Sequence, residues 1–284
     1  MQTVHTIQAV RDFVKNAKQQ GKTVGFVPTM GNLHAGHIHL VHQAKSQCDV
    51  VLCSIFVNPT QFAANEDFGS YPRTLEADSL QLQAANCDLL FAPSAQEMYP
   101  NGHSQQTVVT VNGLSEQLCG EFRPTHFAGV ATVVSKLFNI VQPDSAFFGE
   151  KDFQQLAVIR CLTSELAFPI NIVGIPTQRA EDGLALSSRN GYLSAQERAL
   201  APALYQVLTQ LRTAILNGQR EYTMLCEASV LHLQKMGFDP DYVSVRRSDN
   251  LQLANDSDND LVILVAAKLG KTRLIDNLAF SLRL

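Results

Sequence analysis

The chain has 284 residues, 45% of them hydrophobic and 17% charged, with a formal net charge of −4. That composition builds a packed core and excludes an intrinsically disordered chain, and the length accommodates one large domain or two. A mildly acidic chain without a Lys/Arg-rich run lacks the broad basic face that nucleic acid needs, and no stretch reaches the roughly 18 consecutive apolar residues of a membrane span, so neither nucleic acid nor membrane is an expected partner.

The first 20 residues carry Arg11, Asp12 and Lys15 in a helical pattern, where a secretion signal would show an apolar block. Ile7, Val10, Phe13, Val14 and Ala17 recur at helical spacing, and Gly21 stops that helix. A buried strand over 23–27 follows, then the loop from Pro28 to Gly31 and a helix with Ile38, Val41 and Ala44 on one side. A second buried strand over 50–57 leads into Asn58, Pro59, Thr60 and Gln61. Residues 73–85 read as a helix, 89–92 as a strand, 93–125 as irregular with an edge strand over 108–111, and 128–141 as an apolar helix. A strand over 145–148 ends in Gly149, Glu150, Lys151 and Asp152, a helix runs on to about 167, and 170–175 closes the series as a strand. Strands alternating with helices imply βαβ units, a parallel sheet, and a ligand site at the carboxyl edge.

From about 177 the pattern changes. Residues 178–191 are polar and loop-like, 194–216 and 221–236 read as two helices, and 242–245 and 261–267 as antiparallel strands separated by the polar segment 255–260. The expected division is therefore 1–176, an α/β domain, and 177–284, a smaller α+β domain. The six cysteines, at 48, 53, 87, 119, 161 and 226, form no Cys-x-x-Cys and fit free thiols in a reducing cytoplasm.

Four segments carry chemistry. His34, Ala35, Gly36 and His37 sit where a strand hands over to a helix, whose amino terminus offers N–H groups and a positive dipole end. Gly36 permits close approach of a nucleotide, and two imidazoles suit charge building on a leaving pyrophosphate. The same four residues could equally do no more than cap a helix. A zinc site is not expected, because His39 and His42 fall on other faces and no thiolate or carboxylate stands at ligand spacing. Gly149 to Asp152, with Gln154 and Gln155 behind, also opens a helix, and Lys151 can reach phosphate as a point charge; a solvated helix start is the plainer alternative. Leu186, Ser187, Ser188, Arg189 and Asn190 suit a clamp on a triphosphate, or an ordinary polar hinge. Asn58 and Gln61 offer neutral amides to a hydroxylated organic substrate, or simply complete a proline turn.

The stretches PTMGNLHAGH at 28–37, SIFVNPTQF at 54–62, YPRTLEAD at 71–78, RPTHFAGVATVVSKLFNIVQPD at 123–144, FFGEKDFQQL at 147–156 and DGLALSSRNGYL at 182–193 resemble the pantoate–β-alanine ligase family. The resemblance implies a Rossmann-like parallel sheet with helices on both faces, followed by a small C-terminal lid domain. It implies a cytoplasmic homodimer that takes ATP with Mg²⁺, pantoate and β-alanine as substrates, and makes pantothenate through pantoyl adenylate with release of pyrophosphate and AMP. Carried over by position, Met30, Gly31, Asn32, Leu33, His34, Ala35, Gly36 and His37 form the ATP-binding turn, with His37 the proton donor. Gly149, Glu150, Lys151 and Asp152 contact ATP, Lys151 on phosphate and Asp152 on ribose. Gln178 offers its backbone to adenine, and Leu186, Ser187, Ser188 and Arg189 clamp the triphosphate. Gln61 and Gln155 hold pantoate, with Gln61 also near β-alanine, and Pro28, Met30, Phe56, Val133, Val134 and Leu137 wall its methyl groups. The resemblance assigns no protein-held metal. By the same resemblance, His34, His37, Lys151 and Arg189 are the expected catalytic set.

Two other readings compete. A related nucleotidyltransferase acting on a phosphorylated substrate would want further basic residues where Gln61 and Gln155 stand, and a non-catalytic nucleotide sensor would be expected to lose Lys151 or the 187–189 loop, both of which are present. A nicotinamide-dependent oxidoreductase would show Gly-x-Gly-x-x-Gly after the first strand, and it is absent.

Overall fold

A computed structural model of the chain describes residues 1–63 and 66–283. It divides into two compact units, Met1–Glu150 with Val158–Pro176, and Lys151–Ala157 with the chain from Thr177 onward. Residues 151–157, which precede the expected boundary at 176/177, thus group with the second unit.

The first unit contains β1 (Gln2–Val4), α1 (Ile7–Gln19), β2 (Val24–Thr29), α2 (Ala35–Gln47), β3 (Val50–Ile55), α3 (Leu75–Ala84) and β4 (Leu89–Phe91). The short helices α4 (Ala95–Met98) and α5 (Cys119–Phe122) precede α6 (His126–Val141), β5 (Ser145–Gly149), α7 (Phe153–Glu165), which belongs to this unit from Val158 on, and β6 (Asn171–Ile175). Six strands form one parallel sheet in the order β1-β4-β3-β2-β5-β6. Along the central strands both alternating sets are buried, as expected of a parallel sheet covered on both faces. Val27, Val51, Cys53, Leu90 and Phe147 share a core with Leu40, Val41 and Ala44 of α2 and Leu82 of α3. The intervening Phe26, Leu52 and Leu89 are fully buried on the other side, where α1 and α6 pack against each other and against β2. Each such side chain contributes about 1.5–3 kcal/mol relative to exposure.

The connectivity runs from β2 outward through β3 to β4 and then returns to the opposite flank of β2 as β5. That reversal opens a crevice beyond the carboxyl ends of β2 and β5, the place where open α/β sheets take ligands. Pro28, which has no N–H to give a ladder, fits near the end of this central strand because β5 pairs with β2 only at Gly25 and Phe26.

One expectation is corrected, and one strand is added. Residues 108–111 form no strand: Val108 is exposed, and the Val109 N–H donates to Thr132 Oγ1 at 2.9 Å instead of to a ladder. In addition, β1 pairs in parallel with β4 at the sheet edge and was not anticipated.

The second unit holds a 3₁₀ turn (Ser188–Tyr192), α8 (Ala195–Leu200), α9 (Ala203–Leu216), α10 (Tyr222–Lys235) and the antiparallel strands β7 (Phe238–Arg247), β8 (Asp260–Leu269) and β9 (Thr272–Ser281). Leu204, Val207, Leu208, Leu211 and Ile215 form one stripe of α9, buried with Leu261, Ile263 and Val265 of β8. The single helix expected over 194–216 is two, separated at Ala201 and Pro202. β9 was not anticipated. Among the described residues, no helix is long and apolar enough to cross a membrane.

Candidate active site

The polar segments of the first unit leave the carboxyl ends of adjacent strands: 30–34 follows β2, 58–61 follows β3, and Gly149 and Glu150 end β5 and begin the next turn. After β2 the chain turns sharply. Gly31 has φ +81 and Asn32 φ 49, and a Cβ at Gly31 would come within 3.0 Å of Ile55 Cγ2 and 3.1 Å of Asp78 Oδ2. Asp78, 1% exposed, holds this turn in place. Its Oδ2 accepts from the Asn32 N–H at 2.9 Å and from Thr74 Oγ1 at 3.1 Å, and its Oδ1 accepts from the Leu33 N–H at 2.8 Å.

The turn delivers His34 to the N-cap of α2. His34 Nδ1 accepts from the Gly36 N–H at 3.1 Å, and His37 Nδ1 accepts from the His34 N–H at 3.3 Å, a reciprocal capping box built from two imidazoles. The rings lie 4.1 Å apart between centroids. A ring nitrogen that accepts from an N–H carries no proton, so each neutral ring has its proton on Nε2. Capping and donation are therefore not alternatives: the cap uses Nδ1 and fixes the tautomer that makes Nε2 a donor.

After β3, Asn58 caps the 3₁₀ turn Pro59–Gln61. Asn58 Nδ2 donates to Gln61 Oε1 at 3.2 Å and to Gly129 O at 3.1 Å, while Asn58 Oδ1 accepts from Tyr99 Oη at 2.8 Å. Burial pushes the Tyr99 phenol up from its ordinary value, which keeps it a donor. With its Oε1 held by Asn58, Gln61 presents its amide N–H side, and Nε2 lies 2.9 Å from Met30 Sδ. His126 Nδ1 lies 2.9 Å from Gln61 O, fixing the turn from α6. Met30 and Gln61 are thus brought together. Phe56, Val133, Val134 and Leu137 are buried in the same unit and Pro28 is half-buried.

The remaining candidates belong to the second unit. Lys151 and Asp152 end a 3₁₀ turn and pair at 3.8 Å. The backbone carbonyl of Lys151 accepts from Asn277 Nδ2 of β9 at 2.9 Å. Gln154 is buried and Gln155 half-buried at the start of α7. Gln178 O accepts from the Leu186 N–H at 2.9 Å, closing a small loop. Ser187 caps the turn that carries Ser188 and Arg189, its Oγ accepting from the Arg189 N–H at 3.3 Å. Arg179 supports this loop by a bidentate pair with Asp276, at 2.6 and 2.9 Å, and by stacking 3.7 Å from the Tyr205 ring centroid.

The sequence profile of the pantoate-beta-alanine ligase family matches residues 2–279. The chain belongs to the pantoate–β-alanine ligase family. The pantothenate synthetase of Ectopseudomonas mendocina is 59% identical over 282 residues, covering 99% of each chain. The crystal structure of pantothenate synthetase from Thermus thermophilus superposes with a TM-score of 0.91 at 45% identity, over 98% of this chain and 99% of that one. A pantoate-beta-alanine ligase from Francisella tularensis, complexed with beta-gamma ATP and beta-alanine, is 34% identical with a TM-score of 0.83, over 100% of this chain and 98% of that one. The six-stranded parallel sheet with its helices, followed by the three-stranded antiparallel sheet, is the architecture expected of this pantoate–β-alanine ligase family member.

Sequence reasoning named none of the supporting residues Asp78, Tyr99, Asp276 or Asn277. Asp78 ends the YPRTLEAD motif, and a carboxylate in the first turn of a helix reads as an ordinary charge complement until its two backbone partners from another loop are seen. Asp78→Ala leaves the donors of Asn32, Leu33 and Thr74 without this acceptor. We expect it to lower unfolding free energy by roughly 2–4 kcal/mol and to slow ATP turnover, whereas Asp78→Asn, which keeps one acceptor oxygen, costs less. Urea unfolding midpoints measure the first effect, and an Asp78→Ala protein as stable and active as the parent contradicts this role.

Proposed function

We propose that the chain joins pantoate to β-alanine at the expense of ATP in two half-reactions, through pantoyl adenylate. Overall it is an ATP-dependent pantoate–β-alanine ligase, as its family membership over nearly the whole chain states. The observation that carries the site assignment is the histidine capping box. Its use of both Nδ1 atoms supports a reading of the two Nε2 atoms as donors at the amino terminus of α2, which follows β2 at the carboxyl edge of the sheet.

A carboxylate is a poor acyl donor because oxide is a poor leaving group. In the first step a pantoate carboxylate oxygen attacks the α-phosphorus, the bond to pyrophosphate breaks, and the electron pair leaves with pyrophosphate. In the second step the neutral amine of β-alanine attacks the acyl carbon, the bond to AMP breaks, and the amine proton is lost to solvent or a base. Positioning and charge stabilisation supply most of the catalysis of such a transfer.

The assigned roles follow from this chemistry. Met30, Gly31, Asn32, Leu33, His34, Ala35, Gly36 and His37 hold ATP through the turn and the helix terminus, with the Nε2 protons of His34 and His37 toward the leaving phosphates. Gly149, Glu150, Lys151 and Asp152 contact the nucleotide, Lys151 as a cation on phosphate. Gln178 takes the adenine edge through its backbone, and Leu186, Ser187, Ser188 and Arg189 hold the triphosphate. Gln61, its amide oriented by Asn58, donates to pantoate, with Gln155 as its partner and Pro28, Met30, Phe56, Val133, Val134 and Leu137 against the methyl groups. Gln61 also borders β-alanine, and the relative complexed with beta-gamma ATP and beta-alanine supports both substrates. Mg²⁺ would enter with ATP and would supply positive charge to its phosphates, beside Lys151 and Arg189. Among the described residues, no group of three or more His, Cys, Asp or Glu side chains is arranged to hold a metal. A cytoplasmic homodimer formed through the larger unit completes the proposal.

The deciding experiment follows pyrophosphate release from ATP with Mg²⁺ and pantoate, with and without β-alanine. Pantoate-dependent pyrophosphate, with AMP and pantothenate only after β-alanine is added, is the expected result. A folded protein that releases none in response to pantoate contradicts the proposal.

A further inference from the structure

Arg179 stands at the centre of a polar cluster in the second unit, in which Asp276 and Asn277 are only 4% and 7% exposed. Its Nη1 donates to Asp276 Oδ2 at 2.6 Å and to Gly183 O at 3.1 Å. Its Nη2 donates to Asp276 Oδ1 at 2.9 Å and to Asn277 O at 3.3 Å. The guanidinium carbon lies 3.7 Å from the Tyr205 ring centroid, and a Cβ at Gly183, where φ is +91, would come within 2.8 Å of the same ring. A carboxylate, a ring face and two backbone carbonyls therefore hold the planar fork in one orientation.

Two arms lead away from this cluster. On one side, the Asn277 N–H donates to Asp276 Oδ1 at 2.7 Å, and Asn277 Nδ2 donates to Lys151 O at 2.9 Å. On the other, Arg179 and Ala185 form an antiparallel bridge, and the Ala180 N–H donates to Leu184 O at 2.8 Å. Asn190 Nδ2 then donates to Ala185 O at 2.9 Å, which ties the 3₁₀ turn bearing Ser188 and Arg189 to the bridge. A buried Arg–Asp pair is weak evidence for stability, since well-packed apolar side chains often do as well. What this pair supplies is a fixed relation between the Lys151 turn and the 187–189 loop.

Given the ATP roles assigned above to Lys151, Ser187, Ser188 and Arg189, on which this reading rests, we propose that Arg179, Asp276 and Asn277 are positioning residues for ATP. They hold the Lys151 turn and the 187–189 loop at the spacing that the triphosphate requires. Misplacing a positioned group by about 1 Å costs about 10²-fold in rate, so a loosened cluster acts on catalysis without touching the reacting atoms.

The test compares the full-length parent with Asn277→Ala and Arg179→Lys, each alone and in a Lys151→Ala background. Asn277→Ala removes the bond to the Lys151 carbonyl and leaves the Arg179–Asp276 pair. Arg179→Lys keeps a positive charge beside Asp276 but loses the fork. Neither strands Asp276 without a cation, as Arg179→Ala would, and if one single variant does not fold the other carries the test. Pyrophosphate release gives kcat and the KM values for ATP and pantoate, and calorimetry gives the affinity for α,β-methylene-ATP with Mg²⁺. Each single variant should lose about 10–10²-fold in kcat/KM for ATP and bind the analogue about tenfold more weakly, with KM for pantoate within about twofold of the parent. In the Lys151→Ala background, Asn277→Ala should have almost no further effect, whereas Arg179→Lys should still weaken ATP use through the 187–189 loop. A purely structural role gives a smaller active fraction instead, with kcat lowered and both KM values unchanged. That result overturns the proposal, as do parental ATP parameters in folded variants or an Asn277→Ala loss undiminished by Lys151→Ala. A parent that binds the analogue but releases no pantoate-dependent pyrophosphate contradicts the ligase reading alone, and the analogue affinities across the same variants then decide the positioning role. A parent that does not bind the analogue overturns both.

Discussion

In a His37→Ala variant, the single-turnover release of pyrophosphate from ATP and pantoate is expected to fall about 10²–10³-fold, the range for removing one preorganised donor from a developing charge. The fold should survive. His37 is half-buried at a helix terminus, and the cap it completes on the His34 N–H is of a kind that contributes only about 1 kcal/mol. His37→Gln separates the two roles, because a glutamine at this helix position can restore the cap through its carbonyl. If His37→Gln recovers the full rate, the imidazole acts only as a cap. A rate still far below the parent in a folded His37→Gln protein assigns the loss to the Nε2 donor. Circular dichroism and rapid-quench pyrophosphate assays on the three proteins decide between them.

Lys151→Ala is expected to reduce adenylate formation by a similar factor, about 10²–10³-fold, while leaving thermal stability close to the parent's. The lysine contributes a point charge on a partly buried stem, and its only ion-pair partner among the described residues is the neighbouring Asp152 at 3.8 Å. Its backbone is what the structure holds: Asn277 Nδ2 binds the Lys151 carbonyl, the Asn277 N–H donates to Asp276 Oδ1 at 2.7 Å, and Arg179 grips the same carboxylate. None of these bonds involves the ammonium, so its removal should not disturb them. Lys151→Arg should restore little, since a planar fork on a longer head does not substitute for a compact ammonium. A folded Lys151→Ala protein that forms adenylate at the parental rate contradicts the role.

The alternation of buried strands and amphipathic helices made the six-strand sheet legible apart from its edge. β1 is Gln-Thr-Val, too short to show any period, and it exists because β4 offers an open flank. The 108–111 segment fails for the converse reason: its β-branched run has the propensity of a strand, but a strand needs a ladder, and Val109 gives its N–H to a threonine. β9 was hidden by its own chemistry. Asp276 and Asn277 interrupt the apolar alternation, yet both are buried, with Arg179, about a hundred residues upstream, paired to the aspartate. In the candidate site, sequence singled out His34, His37, Gln61 and Lys151 as candidates to touch ligand. It missed those that hold them, Asp78, Tyr99 and Asn277, because positioning is a long-range relation that one chain does not spell out. It also set capping against chemistry at His34 and His37, where the two ring nitrogens allow both.

Gly129 has a bearing on enzyme engineering. A Cβ there would stand 2.4 Å from Thr60 O and 2.7 Å from Gln61 Cα, so α6 and the Gln61 turn meet main chain to main chain. The spacing between them is a hard stop, with no rotamer available to absorb an error. If Gln61, Val133, Val134 and Leu137 border the acid as proposed, attempts to broaden the acid accepted should vary the side chains at 133, 134 and 137 and keep position 129 fixed, because even one added methyl there meets the backbone of the Gln61 turn.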